Sequence, residues 1–195
     1  TGKPAVATTT YGAGFTNAIT PLAEAAAAQI PMILVTGDQP TTGARPWDVD
    51  QTAINTAVGA KTFVVDARNP VAITLAAVAH ALRERVPVVI SIPYDLVADE
   101  AATEPELTLA DFNMDPHYPL AAHELLVQAA TALDTAKRPL ILAGRGARLS
   151  NASESIAALA DKLGALTSST VLAANLMASR HGDLGSRRAS TRRPS

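Results

Sequence analysis

The sequence contains no cysteine, which rules out a disulfide framework and any thiolate-ligated metal site. Aromatic residues make up only 4% of it against 48% hydrophobic residues overall, so a core must be built from Ala, Val, Ile and Leu, side chains that suit helices packed closely on a sheet. No apolar run reaches the roughly 20 residues of a membrane span, because Glu24 and His80 interrupt the two longest candidates. No secretory-signal pattern is visible. Neither G-x-S-x-G nor G-x-x-x-x-G-K-[ST] occurs, so the sequence offers no nucleophile elbow and no phosphate loop of the P-loop kind. The four histidines, His80, His117, His123 and His181, have no H-x-x-x-H spacing, which argues against zinc.

Charge is nearly balanced, but unevenly placed. Arg180, Arg187, Arg188, Arg192 and Arg193 lie in the last sixteen residues with only Asp183 opposing them. The remainder carries 11 basic and 17 acidic side chains, and so provides no electrostatic footprint for nucleic acid.

What is present is an alternation. Short β-branched runs recur at 4–9, 32–36, 61–65, 88–92 and 139–143, with a weaker one at 166–171; each has the length of a buried strand. Between them, 16–29, 70–85, 121–135 and 152–163 are rich in Ala and Leu and read as crossover helices. Near-continuous apolar strands alternating with helices predict a parallel sheet covered on both faces, an α/β fold. The alternation lapses in "YDLVADEAATEPELTLADFNMDPHYP", which has five acids before Leu107 and three prolines. The expected organisation is therefore one α/β domain over 1–97, a linker over 98–119, a second α/β domain over 120–185 and an irregular basic tail over 186–195. The first domain begins directly at a turn entering a strand, and the second has too few βα repeats to close a sheet of about five strands. Both read as incomplete.

Two glycine turns follow strands at the sheet edge where open α/β folds bind ligands. In "YGAGFTN", Gly12 and Gly14 let a ligand approach the backbone, and Asn17 stands where a dinucleotide fingerprint has its third glycine. In "LILAGRGARLS", Gly144 and Gly146 repeat the arrangement with Leu149 in that place, and no acid stands near Ser168 to hold a ribose. A standard NAD site is disfavoured. A tight turn with no ligand, or a phosphate or adenylate contact, remains open at this level. "TGDQPTTGARPWDVDQ" is a long polar loop at the same edge, holding the sole Trp and ending in Asp50 and Gln51; long ordered loops usually bind or link.

In succession, "TGKPAVATTTYGAGFTNAITPLAEAAAAQIPMILVTGDQP", "DVDQ", "KTFVV" and "ERVPVVISIPYDL" resemble the thiamine diphosphate-dependent enzymes of the acetolactate synthase group, and "RPLILAGRGA" with "LADKLGALTSST" resembles the start of that family's central domain. The resemblance implies a pyrimidine-binding domain, incomplete at its N-terminus, followed by the first part of a Rossmann-like central domain. It implies that Gly12, Ala13, Gly14 and Asn17 face the aminopyrimidine ring of the cofactor, that Asp50 and Gln51 correspond to the family's F-Q pair on the substrate side, and that Gly144 and Gly146 correspond to a turn that touches FAD in flavin-containing members. Ala13 replaces a family proline and Asp50 a family phenylalanine.

The implied cofactors are thiamine diphosphate with Mg²⁺, and FAD in the flavin-containing case. The implied ligand is a 2-oxo acid, undergoing decarboxylation and carboligation, in a cytoplasmic homodimer or homotetramer. The family's proton-relay glutamate lies upstream of T-G-K-P, and its metal-anchoring G-D-G has no counterpart here, "HGDLG" lacking the pattern. This polypeptide is therefore expected to be inactive alone. "GSRRASTRRPS" has the composition of G+C-rich codons read out of frame. The alternative from a non-enzyme class is a nucleotide-binding or scaffolding module using the second glycine turn. A dehydrogenase fragment would require the missing ribose-binding acid.

Overall fold

The computed structural model describes residues 4–113, 121–178 and 182–185. The chain divides into two compact units, Thr1–Tyr118 and Pro119–Ser195.

The first unit is built on a four-stranded parallel sheet in the order β1-β2-β4-β3, formed by β1 (Ala5–Thr9), β2 (Met32–Asp38), β3 (Lys61–Val64) and β4 (Pro87–Pro93). The central strands read as the composition requires. In β4, Val88, Val89, Ile90 and Ser91 are all buried, so both faces of that strand are covered. One face packs Leu34 and Val89 against Phe15, Leu22 and Ala60; the other packs Ile33, Val88 and Ile90 against Ala77 and Ala81 of α4 (Pro70–Glu84). Phe15 is the one fully buried aromatic among the described residues, and the alanines of α4 let that helix lie close to the sheet. β1 is an edge strand, paired among the described residues only with β2, and Val6 there is 64% exposed.

The helix expected over 16–29 is two: α1 (Ala13–Thr16) and α2 (Ile19–Ala27). Pro21 explains the break. Lacking an N–H, and with a ring that collides with the carbonyl four residues back, it cannot sit inside a helix that runs on from residue 17. The chain steps through Asn17 with an Ala18 N–H to Phe15 carbonyl bond and resumes at Ile19. The polar loop after β2 ends in a short helix, α3 (Gln51–Ala57), that the alternation of long patterns does not reveal. Asp50 starts it by accepting from the Ala53 N–H at 2.8 Å, an ordinary N-cap.

Residues 94–113 contain two 3₁₀ turns, Tyr94–Leu96 and Leu109–Asp111, and they dock on the first unit. Glu104 accepts from the Val71 and Ala72 N–H groups at 2.7 and 2.9 Å, capping α4, whose first residue is Pro70. This places a negative charge on two unpaired donors at the positive end of the helix. Residues 114–120 of the expected linker lie outside the described residues.

The second unit contains α5 (His123–Asp134), β5 (Leu140–Ala143), α6 (Arg145–Leu149), α7 (Ser153–Leu163) and β6 (Leu166–Ser169). β5 and β6 form a parallel pair with Leu140 opposite Leu166. Ala143, Ala160, Ala165, Ala173 and Met177 are buried, whereas Leu125, Leu126, Leu140, Leu142 and Leu166 are exposed. The basic tail at 186–195 lies outside the described residues.

Candidate functional site

At the carboxyl ends of β1, β2 and β4 the first unit has a crevice of about 350 Å³. Thr8, Thr9 and Thr10 form one wall, Thr36 and Gly37 the floor, and Tyr11, Ile92, Tyr94 and Val97 the apolar rim. The glycine turn lies directly beside it. Gly12 has φ +69° and ψ −120°, a backbone region that residues with a Cβ rarely adopt, although a Cβ there would meet nothing within 4 Å. Its glycine is required by conformation and leaves the turn open. At Gly14 a Cβ would fall inside contact distance of Thr10 Oγ1 and 3.3 Å from Thr10 Cβ, so a side chain there would make Thr10 shift. Ala13 and Asn17 are exposed, and Asn17 ends α1.

Gln51 meets the turn from the other side. Its Oε1 accepts from the Gly12 N–H at 3.0 Å, while its Nε2 donates to the Gly37 carbonyl at 2.8 Å and lies 3.4 Å from Asp38 Oδ1. The residue is 2% exposed. Asp50, its neighbour, is exposed and committed to the α3 cap. Of the residues singled out from the sequence, Gly12, Gly14 and Gln51 therefore come together. Gly144 and Gly146 belong to the second unit, where Gly144 precedes α6 with extended backbone (φ −102°, ψ −174°) and neither would bring a Cβ within 4 Å of anything.

The residues that sequence reasoning passed over are Tyr11, Arg45, Asp48, Tyr94 and Asp95. Arg45 grips Asp48 through Nε and Nη2 at 3.0 and 2.8 Å, and its Nη2 also donates to the Tyr11 hydroxyl at 3.0 Å. The guanidinium lies 5.4, 5.5 and 5.2 Å from the ring centres of Tyr11, Trp47 and Tyr94. Asp48 raises the Arg45 pKa above its ordinary value, and Arg45 in turn holds the Asp48 carboxyl below the usual range. Asp95 accepts from the Thr41 hydroxyl and, at 2.9 Å, from its N–H, and these bonds lower the pKa of Asp95. The loop over 39–50 is thus fastened at Thr41 and at Arg45 to the segments beside the crevice. The signals for this were an Arg and an Asp three residues apart around a lone Trp, with tyrosines standing next to two strand ends.

Chemically the crevice is apolar and aromatic, with hydroxyls in one wall. Thr9 Oγ1 is buried there without a hydrogen-bond partner among the described residues. The guanidinium that borders it, Arg45, is already neutralised by Asp48. Among the described residues no three His, Cys, Asp or Glu side chains stand together in a way that would hold a metal ion. No described helix is long and apolar enough to cross a membrane.

A parallel α/β unit with an open, glycine-flanked crevice at the carboxyl edge of its strands defines a ligand-binding domain of the cofactor-using kind. Comparison with known proteins makes this specific. Residues 1–58 match the thiamine pyrophosphate enzyme N-terminal TPP binding domain, and residues 126–190 match the thiamine pyrophosphate enzyme central domain. The acetolactate synthase of Mycobacterium leprae is 28% identical over 95% of this chain, and the acetolactate synthase large subunit of Corynebacterium glutamicum is 30% identical over 89%. An X-ray structure described as that of a thiamin diphosphate-dependent enzyme from Mycobacterium smegmatis superposes over 88% of the chain and 34% of its own, with a TM-score of 0.60 at 25% identity. The chain belongs to the thiamine pyrophosphate-dependent enzymes, with acetolactate synthases among its homologues. It spans 30% and 28% of the length of those two curated relatives.

Proposed function

We propose that this chain supplies the ring-facing half of a thiamine diphosphate site in an enzyme that decarboxylates and ligates 2-oxo acids. The observation that carries the reading is the open Gly12 turn beside an apolar crevice walled by threonines. A flat, polar-edged heteroaromatic ring fits that combination: the rim accepts its face. The same crevice suits neither a diphosphate nor Mg²⁺, because the described residues around it provide no unpaired cation and no cluster of acids. The second glycine turn, open around Gly144 and Gly146, supports FAD as a ligand of the other unit.

When bound, thiamine diphosphate supplies an electron sink beside the carbonyl of the substrate, which no side chain can provide. The part of this chain is to bind and orient the ring. Tyr11, Ile92, Tyr94 and Val97 exclude water from one side, and the Gly12 backbone admits the ring closely. We expect the 195-residue chain to show no turnover of its own, because the family resemblance assigns none of its residues to the proton-relay glutamate.

Trp47 is the sole tryptophan and belongs to the loop that touches the rim, so its fluorescence reports occupancy. Thiamine and thiamine diphosphate are expected to give the same saturable change, since the ring is the shared part, while NAD gives none. A response to NAD or ATP with none to thiamine compounds refutes the reading and favours a nucleotide-binding module. A measurable rate of pyruvate consumption by the purified chain with thiamine diphosphate and Mg²⁺ refutes the inactivity.

A further inference from the structure

Gln51 is a polar side chain held almost wholly out of water, and such a group must have its hydrogen bonds made. Its side-chain bonds reach two different elements, the turn after β1 and the last residues of β2. A carboxamide offers an acceptor and a donor at the two ends of one short planar group, and does so at every pH. The N-cap at Asp50 fixes the backbone from which that amide projects. Gly12, meanwhile, must be held in one of the many conformations open to a glycine, which costs entropy, and the Gln51 bond is made by its own N–H.

We infer that Gln51 is the positioning residue of the glycine turn: its amide ties Gly12 to Gly37 across the sheet edge and so sets the width and wall of the crevice, instead of touching substrate. The geometry stands by itself; its purpose rests on the cofactor reading above. The titratable groups around position 51 are Asp38 on β2, Tyr11 on the turn with the Arg45–Asp48 pair bonded to it, and Asp50 at the start of α3.

The test compares Gln51→Met, which keeps the volume, with Gln51→Glu, which keeps the shape but has a donor only when protonated. Gln51→Met is expected to lower the melting midpoint of the first unit by roughly 4 to 10 °C at every pH, as the loss of a buried hydrogen-bonding group does. Beside Asp38 and out of water, the carboxyl that Gln51→Glu introduces would have a folded pKa above the ordinary carboxylate value of about 4.3. The deficit of that variant is therefore absent below the ordinary value, opens as pH rises towards the folded pKa, and is complete above it. Gln51→Glu should match Gln51→Met at pH 8 and approach the parent protein at pH 4.5 to 5, with the Trp47 response to thiamine diphosphate following the same profile.

Two results overturn the inference: a Gln51→Met midpoint within about 1 °C of the parent, the spread of a surface change, or a Gly12 amide in the parent that exchanges with solvent as fast as loop amides. The exchange measurement needs no variant and so decides even if Gln51→Met fails to fold. If the parent ignores thiamine compounds while the stability profiles run as stated, the positioning role stands and the cofactor reading falls.

Discussion

Replacing Gly12 with alanine separates conformation from packing. The added methyl would meet nothing within 4 Å, so no contact opposes it. The cost lies in the backbone, at φ +69° and ψ −120°, which a residue with a Cβ adopts at an expense of about 1–3 kcal/mol. Alanine also narrows the unfolded ensemble, which offsets about 0.4–1 kcal/mol. The net expectation is a loss of about 1.3 kcal/mol at the middle of both ranges, and at most about 2.6 kcal/mol. For a unit the size of Thr1–Tyr118, that lowers the melting midpoint by roughly 3 to 10 °C. Gly144→Ala is the matched control: its Cβ also meets nothing, but φ −102° and ψ −174° suit alanine, so the change is expected to be neutral or stabilising. Urea unfolding followed by Trp47 fluorescence reads the first unit, and far-UV circular dichroism reads both. A Gly12→Ala midpoint within experimental spread of the parent, at unchanged slope, refutes the argument that this turn is held in a glycine-only conformation.

Arg45→Met is expected to loosen the 39–50 loop, seen as greater acrylamide quenching of Trp47. Because Asp48 has a lowered pKa in the folded protein, its pairing contributes stability above the ordinary value of 3.8 and loses it as pH falls through the folded value; the variant should lack that part of the acid unfolding limb, and an unaltered limb counts against the pair. His80 has its pKa lowered, first by burial and then by Lys61, so the folded state prefers the neutral ring. Its contribution is present above the ordinary value of 6.5 and is lost as pH falls towards the folded value, so His80→Gln should flatten the stability profile below 6.5, with the folded pKa itself read from an NMR titration of the ring. Glu104→Gln removes the charge at the start of α4 and exchanges one of its two accepting oxygens for an NH2 that cannot accept, and is expected to cost about 1–2 kcal/mol, of which added salt reduces the charge-dependent part. A loss that salt leaves untouched would show that charge is not what matters there.

The strands were legible because both faces of β2 and β4 are covered, which writes an unbroken apolar run into the sequence. α4 was legible for the same reason, one long face and a proline at its start. α3 was hidden because seven residues are too few to show a period, and its start depends on one capping bond. The break between α1 and α2 was available in Pro21 but was outweighed by the surrounding alanines. At the site, glycine spacing marked the turn, since conformations of that kind admit few other residues. It did not reveal what holds the turn in place. That depends on Gln51 reaching Gly12 across 39 residues and Arg45 reaching Tyr11 across 34, contacts that local spacing does not record. Asp50 and Gln51 were read as a pair facing one way, whereas helix initiation turns one outward to a cap and the other inward to the sheet edge.

Among the described residues β1 has a hydrogen-bonded neighbour on one side only, and its last residues continue into the threonines that wall the crevice. Backbone donors and acceptors on its outer side are thus available to a further strand. A strand paired along that margin would stiffen Thr8, Thr9 and Thr10, so pairing there and the shape of the crevice are coupled. Affinity for the ring and order along the margin should accordingly rise and fall together.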